Sequence, residues 1–279
     1  MMFQKLRYFF KRPSESFQIL SDLHLEVGQQ YSSYEIPVNA KYLILAGDIG
    51  RLADYNDYLN FLQKQTSRFE LVFLVLGNHE FYAGSFTTGL EKAKQLQQEP
   101  SLNGRLVLLH RERYDVPGSY ITILGCTLWS KVPIEAREVV QAKIKDFQKI
   151  DGWTVDDHNA THDSELAWLL KEIRSIHQEN EAARAQTPRR TILVVTHHAP
   201  SLRGTSSPEN AQNAWRFAFG TDVLSEMVND VKVWVFGHTH YSTDFKEGGI
   251  RIVSNQRGYA LPWKSTEDRF DVGKVIRVS

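Results

Sequence analysis

Four short histidine clusters, each set directly after an apolar run, limit what this chain can fold into. They are Asp22-Leu-His24, Gly77-Asn-His79-Glu80, Thr196-His-His198 and Gly237-His-Thr-His240, and they hold six of the ten histidines. A fifth apolar run ends in Gly47-Asp48. Runs such as Leu71–Leu76 and Val231–Phe236 are apolar almost throughout, the pattern of strands buried on both faces under helices. Loops at the carboxyl ends of strands are where α/β proteins place their sites. Asp, Asn and His together, with no thiolate nearby, are donors for borderline-to-hard divalent cations. Any one of these clusters alone reads as a core histidine or a turn-forming Asp or Asn. All five in order, from residue 22 to residue 240, point to a metal site.

The same apolar runs predict strands over 17–20, 42–45, 71–76, 105–109, 120–128, 191–195, 231–236 and 250–254. Helical spacing predicts helices around Tyr55–Leu62 (after a cap at Asp54), Phe86–Ala93 (halted by Pro100), Val140–Phe147, Leu166–Ile173 and Val223–Val228. The polar stretch 181–190 lies between strands that both carry site residues, which makes it a poor place to divide the chain. One α/β domain over 1–279, with its core at about 17–255, is expected.

Lys+Arg and Asp+Glu are both 33, so no global charge pulls the chain toward nucleic acid or an anionic membrane. The single cysteine, Cys126, forms no internal disulfide and fits a reducing compartment, here the cytoplasm. No apolar run approaches a membrane span. Met1–Pro13 is basic and aromatic without the apolar stretch of a signal peptide, and is expected to lie as a short arm on the body.

Within the clusters, Asp22 and His24 stand two residues apart, as do His238 and His240. On an extended backbone that spacing turns both side chains to one side. Gly47 permits a tight turn that frees the Asp48 carboxylate, a group able to bridge two cations. Asn78 offers a neutral oxygen. His110, His158, His162 and His177 lack such partners, and surface or capping roles are expected for them.

Taken in order, Asp-x-His, Gly-Asp, Gly-Asn-His-Glu, His-His and Gly-His-x-His resemble the signature of the calcineurin-like metallophosphoesterase superfamily, from about Phe17 to Asn255. The resemblance implies a four-layer αββα sandwich of two mixed β-sheets flanked by helices, with a dinuclear centre at one edge. It implies that one metal takes Asp22, His24 and His240, the other Asn78, His197 and His238, with Asp48 bridging. His79 matches the family's catalytic histidine, and His198 carries no implied ligand role. Two cations about 3.5–4 Å apart hold a bridging water, lower its pKa and neutralise the phosphate oxygens, so that the resulting hydroxide attacks phosphorus. Mn²⁺, Fe, Zn²⁺ or Co²⁺ suit such mixed N/O donors, Mn²⁺ being favoured.

The protein serine/threonine phosphatases of the superfamily carry a second acidic residue and an arginine after Gly-Asp. This chain reads Gly47-Asp-Ile-Gly-Arg-Leu-Ala-Asp54, which argues against that branch and leaves the acidic partner of His79 unassigned. A metal-dependent hydrolase acting on a small phosphodiester or phosphomonoester is expected. The alternatives are a nuclease, disfavoured by the neutral charge, and a silent scaffold, disfavoured because every matched position is filled. The segment Pro200–Gly220 is polar and Gly/Pro-punctuated and is expected to cover the substrate, with Asn213 and Arg216 as its contacts. Arg257, at another strand end, is expected to meet phosphate. Trp129 and Lys131 follow a strand that approaches the metal edge or ends in the core.

Overall fold

The computed structural model describes residues 14–183, 188–227, 230–259 and 269–279. The N-terminal arm expected over Met1–Pro13 lies outside the described residues, as do 184–187 of the polar connection and Val228.

Two sheets carry the fold. In the first, β1 (Glu15–Leu20), β2 (Tyr42–Ala46), β3 (Leu71–Val75) and β4 (Leu106–Leu108) run parallel, and β11 (Val275–Val278) closes the edge antiparallel to β1. In the second, β6 (Ile121–Cys126), β7 (Thr191–Thr196), β8 (Val231–Phe236) and β10 (Ile250–Ser254) are parallel, flanked by antiparallel β5 (Glu112–Asp115) and β9 (Asp244–Glu247).

Alternation along each strand builds the layers. Tyr42, Ile44 and Ala46 of β2 face the second sheet and meet Ile123, Val195 and Val235 in one buried cluster. Leu43 and Leu45 face the other way, into a cluster with Tyr58 and Leu62 of α1 (Tyr55–Thr66) and Ala93 and Leu96 of α2 (Phe86–Gln98). The outer face of the second sheet, including Val194, Trp234 and Ile252, is covered by Leu169, Ile173 and Ile176 of α5 (Val155–Ala182). At about 1.5–3 kcal/mol for each fully buried large aliphatic or aromatic side chain, these three clusters dominate the stability of the fold. The result is the four-layer α/β sandwich that the resemblance implies.

Three expectations need correcting. Val140–Phe147 is not one helix but two short ones, α3 (Arg137–Lys143) and α4 (Asp146–Lys149), separated at Ile144, which is extended. The helix expected over Val223–Val228 is a single 3₁₀ turn, Leu224–Glu226, because Leu224 and Met227 fill a shallow apolar margin of the sheet rather than a helix face. Asp54 does stand at the start of α1, but its side chain does not cap the helix; it pairs with Arg51 and accepts a hydrogen bond from the Tyr31 hydroxyl.

Candidate functional site

Strands β1, β2, β3, β7 and β8 end at the same edge of the sandwich, and each delivers one of the clusters there. They do so by leaving the extended conformation. Asp22, His24, Asp48, His238 and His240 all have left-handed backbones, with φ of 53°, 47°, 53°, 70° and 51°. The spacing of two in Asp22-x-His24 and His238-x-His240 therefore does not work through an extended strand, as the sequence suggested; the chain curls past the strand end. Non-glycine residues held there cost on the order of 1–3 kcal/mol each and persist at sites that the surroundings over-determine.

The surroundings here are specific. The Glu80 carboxylate is buried and accepts the backbone N–H groups of Asp48 (2.9 Å), Ile49 (2.9 Å) and Gly77 (2.7 Å) and the Tyr58 hydroxyl (2.9 Å), with the Gly50 N–H at 3.4 Å. One side chain thus ties the turn after β2 to the turn after β3. Gly77 is required by the close approach: a Cβ there would lie 2.2 Å from the Asp48 Oδ1 and 2.7 Å from the His197 Nε2. Gly47 (φ 88°) makes the tight turn expected of it, and a Cβ at that position would meet the His197 ring at 2.3 Å.

The candidate donors converge in two groups, Asp22–His24–His240 and Asp48–His197–His238, with the ligand atoms of each within 4.8 Å of one another; a third trio, His24, Asp48 and His79, shares a member with each. The Nε2 atoms of His24 and His240 face each other at 2.9 Å. The Nε2 of His197 lies 3.4 Å from the Asp48 Oδ1 and 3.1 Å from the Asn78 Oδ1. Asp48 turns its other oxygen, at 3.9 Å, toward both His24 and His79. The far ring nitrogens are held by acceptors: His197 Nδ1 donates to the Ala46 carbonyl (2.9 Å) and His238 Nε2 to that of Ala218 (3.2 Å). Asn78 gives its amide to Asp146 (2.7 Å) and Tyr82 (3.1 Å), which leaves its oxygen aimed inward. Outer contacts of this kind orient metal ligands. Buried imidazoles and carboxylates with no lysine or arginine among them fit divalent cations.

Burial pushes Asp22 up to about 7 and lowers the pKa values of His24, His238 and His240. His197, held up at about 10 against its burial chiefly by Asp48, and His79 behave differently. His79 faces the basin. Burial disfavours its charge, but Asp48 and Glu26 outweigh that and hold its pKa up, at about 9. Its Nδ1 lies 2.8 Å from the Glu26 carboxylate, which also stands 3.4 Å from the His24 Nδ1. Glu26, unassigned from the sequence, is the acidic partner of His79. It extends the spacing of two already present in Asp22-x-His24, and that was the signal available. Tyr259, also unforeseen, places its hydroxyl 3.0 Å from the His79 Nε2 and its ring 4.3 Å from that of His24.

These groups face a basin of about 540 Å³ whose far walls carry Lys143, Lys145, Glu209, Trp215 and Phe219. Asn213 and Arg216 line a neighbouring cavity of about 210 Å³. The 199–220 segment forms the wall common to both, its ends joined by a bridge between Ala199 and Gly220. Arg257 is placed elsewhere. Its guanidinium donates to the Leu23 carbonyl (3.0 Å) and the Gln30 side chain (2.7 Å) and stacks on Tyr34, so it braces the 23–34 loop. Trp129 is fully buried against Trp153, His158 and His198, and Lys131 pairs with Asp163 on the surface. Cys126 is a buried free thiol.

His198 is fully buried behind the site, with its ring 4.0 Å from that of His238. The expectation of surface roles fails for His158 and His162. Spaced four apart on the inner face of α5, they are buried and bonded to Ser130 and the Leu128 carbonyl. His110 is half-buried beside Glu165, and His177 pairs with Asp230.

The fold agrees with comparisons to known proteins. A family model described as calcineurin-like phosphoesterase matches residues 16–242. An uncharacterized protein, L509, of Acanthamoeba polyphaga mimivirus is 27% identical over 273 residues, covering 86% of this chain and 90% of that protein. The phosphopantetheinyl hydrolase of Mycobacterium tuberculosis shares the fold with a TM-score of 0.58 at 16% identity, over 88% of this chain and 90% of that one. A dimetal phosphatase from Danio rerio gives a TM-score of 0.47 at 14% identity, over 87% of each chain. No helix among the described residues is long and apolar enough to cross a membrane.

Proposed function

Because the chain belongs to the calcineurin-like phosphoesterase family, we propose that it hydrolyses a small phosphodiester or phosphomonoester at a dinuclear metal centre. Asp22, His24 and His240 would hold one ion and Asn78, His197 and His238 the other, with the Asp48 carboxylate available to both. Mn²⁺ is favoured, with Fe, Zn²⁺ or Co²⁺ as alternatives. Divalent ions bound there supply an activated water and neutralise charge on the phosphate. The observation that carries the reading is the convergence of donors from five strand ends beside His79, whose ring is held by Glu26.

The rest is the work of this chain's own side chains. His79 donates from Nδ1 to Glu26, which fixes the ring and leaves Nε2 directed at the basin beside the Tyr259 hydroxyl. With a second proton on Nε2, the ring delivers it to the departing oxygen or stabilises the phosphate oxygens. Glu26 favours that protonated form and so positions and charges His79. Lys143 and Lys145 at the basin wall attract an anionic substrate. The setting proposed is the cytoplasm, in keeping with the lone free thiol.

The experiment is a comparison of leaving groups. His79→Ala should keep its metals yet slow alkyl ester hydrolysis far more than nitrophenolate release, since general acid catalysis contributes roughly 10²–10⁴-fold. Glu26→Gln should show the same pattern, attenuated. Equal losses on both substrates would favour charge stabilisation over proton donation, and loss of the metals themselves would remove His79 from this role.

A further inference from the structure

The basin has two differently built sides. Asp48 divides it: Oδ2 faces His24 and His79, while Oδ1 faces His197. The His79 side carries Tyr259. The His238 side carries Phe219, whose ring lies 4.9 Å from that of His238, and beyond Phe219 the smaller cavity opens. The two spaces share Asn210, Trp215, Phe219 and Thr239, so they adjoin at these four side chains.

The chemistry of this cavity is distinctive. Leu202, Trp215 and Phe219 give it apolar surface, and the amides of Asn210 and Asn213 add uncharged hydrogen-bonding groups. Arg216 is its one charged side chain among the described residues; no carboxylate lines it. The Arg216 guanidinium lies over the Phe217 ring (4.4 Å) and, among the described residues, donates only to the Asn213 carbonyl (3.3 Å). The wall is anchored from behind, because Trp215, Phe217 and Phe219 pack against a satellite core of Val132, Val140 and Ile144. At about 210 Å³ the cavity is smaller than the roughly 300–1,000 Å³ of a site for a drug-sized ligand. It accommodates one ring or one short chain.

A phosphomonoester has no use for such a space once its leaving group sits by His79. A phosphodiester has a second organic substituent, which hydrolysis does not remove. We propose that the substrate is a phosphodiester and that the cavity beyond Phe219 binds its retained substituent, a neutral or anionic apolar-polar group rather than a cationic one. This rests on the phosphoesterase reading above.

The test uses three diesters with one leaving group: 4-nitrophenyl phosphates whose second substituent is methyl, phenyl or choline. In each, water adds to phosphorus and the bond to nitrophenolate breaks. The oxygen keeps the electron pair, and the retained ester leaves as a monoester with release of a proton. With Mn²⁺ supplied, kcat/KM should be at least about tenfold higher for phenyl than for methyl, the scale of an aromatic contact with its burial, and lowest for choline. Trp215→Ala should abolish the phenyl advantage, and Arg216→Glu, at a half-buried position that tolerates change, should lift the choline ester relative to phenyl. Calorimetric titration of the metal-loaded protein should show phenyl phosphate, the retained product, binding about tenfold tighter than methyl phosphate. Turnover without a phenyl preference overturns the cavity assignment alone. A phenyl advantage that survives Trp215→Ala in both turnover and product binding overturns the assignment to this cavity. No turnover of any ester and no phosphate binding overturn the phosphoesterase reading and this inference with it.

Discussion

Replacing Glu80 with glutamine tests how the site is held together. The carboxylate is an acceptor only, and all of its partners are donors: Oε2 takes the N–H groups of Asp48 and Gly77, and Oε1 those of Ile49 and Gly50 together with the Tyr58 hydroxyl. A glutamine of the same shape keeps one oxygen and turns an NH₂ toward the others. Whichever way it sits, at least two buried backbone donors lose their acceptor. At about 1–3 kcal/mol for each buried group left unpaired, the cost is about 2–6 kcal/mol, a large part of the roughly 5–15 kcal/mol that a domain of this kind has in hand. Denaturant unfolding of Glu80→Gln, with metal content measured alongside, should show that loss and weaker metal retention, since Asp48 and Asn78 sit on the two turns it joins. Tyr58→Phe removes one donor and leaves the carboxylate satisfied, so it should cost only about 1 kcal/mol. A Glu80→Gln protein within about 1 kcal/mol of the parent, with its metals in place, would refute the reasoning.

Two further outcomes follow from groups outside the centre. Arg257→Ala should lower thermal stability while leaving KM nearly unchanged, because its guanidinium is spent on Leu23 and Gln30; a raised KM with unchanged stability would restore it to the substrate. Glu165 is buried, which pushes its pKa from 4.5 up to about 8. Folding therefore favours its protonated form, and that contribution is complete below pH 4.5 and lost as pH rises through 8. Glu165→Gln should match the parent at pH 5 and exceed it in stability at pH 9, and equal unfolding free energies at both pH values would contradict the assignment.

What the sequence discloses, and what it conceals, has a physical pattern. The central parallel strands announce themselves because burial on both faces demands an unbroken apolar run, as in Leu71–Val75. The three strands that escape notice, β5, β9 and β11, are the antiparallel edges. Glu112-Arg-Tyr-Asp115 and Asp244-Phe-Lys-Glu247 are exposed or half-buried throughout, and nothing forces them to be apolar. The candidate metal donors were legible because their chemistry requires particular side chains at strand ends. Their geometry was not, since the left-handed backbones at Asp22 and His240 depend on what surrounds them. Tyr259 reaches His79 across 180 residues of sequence and leaves no local spacing to read, whereas Glu26, 53 residues away, shows only its spacing of two from His24. Arg257 misled for a related reason: its position after a strand resembled a ligand's, but its side chain turns back into the 23–34 loop.

The count and placement of bound metal test the central claim most directly. Anomalous scattering from metal-loaded crystals, with elemental analysis in parallel, should find two ions per chain. One should lie among Asp22, His24 and His240 and the other among Asn78, His197 and His238, with Asp48 touching both. Asp48→Asn should weaken both sites together, and His24→Ala should empty mainly one. A fully loaded protein holding a single ion, or ions bound away from these residues, would contradict the account.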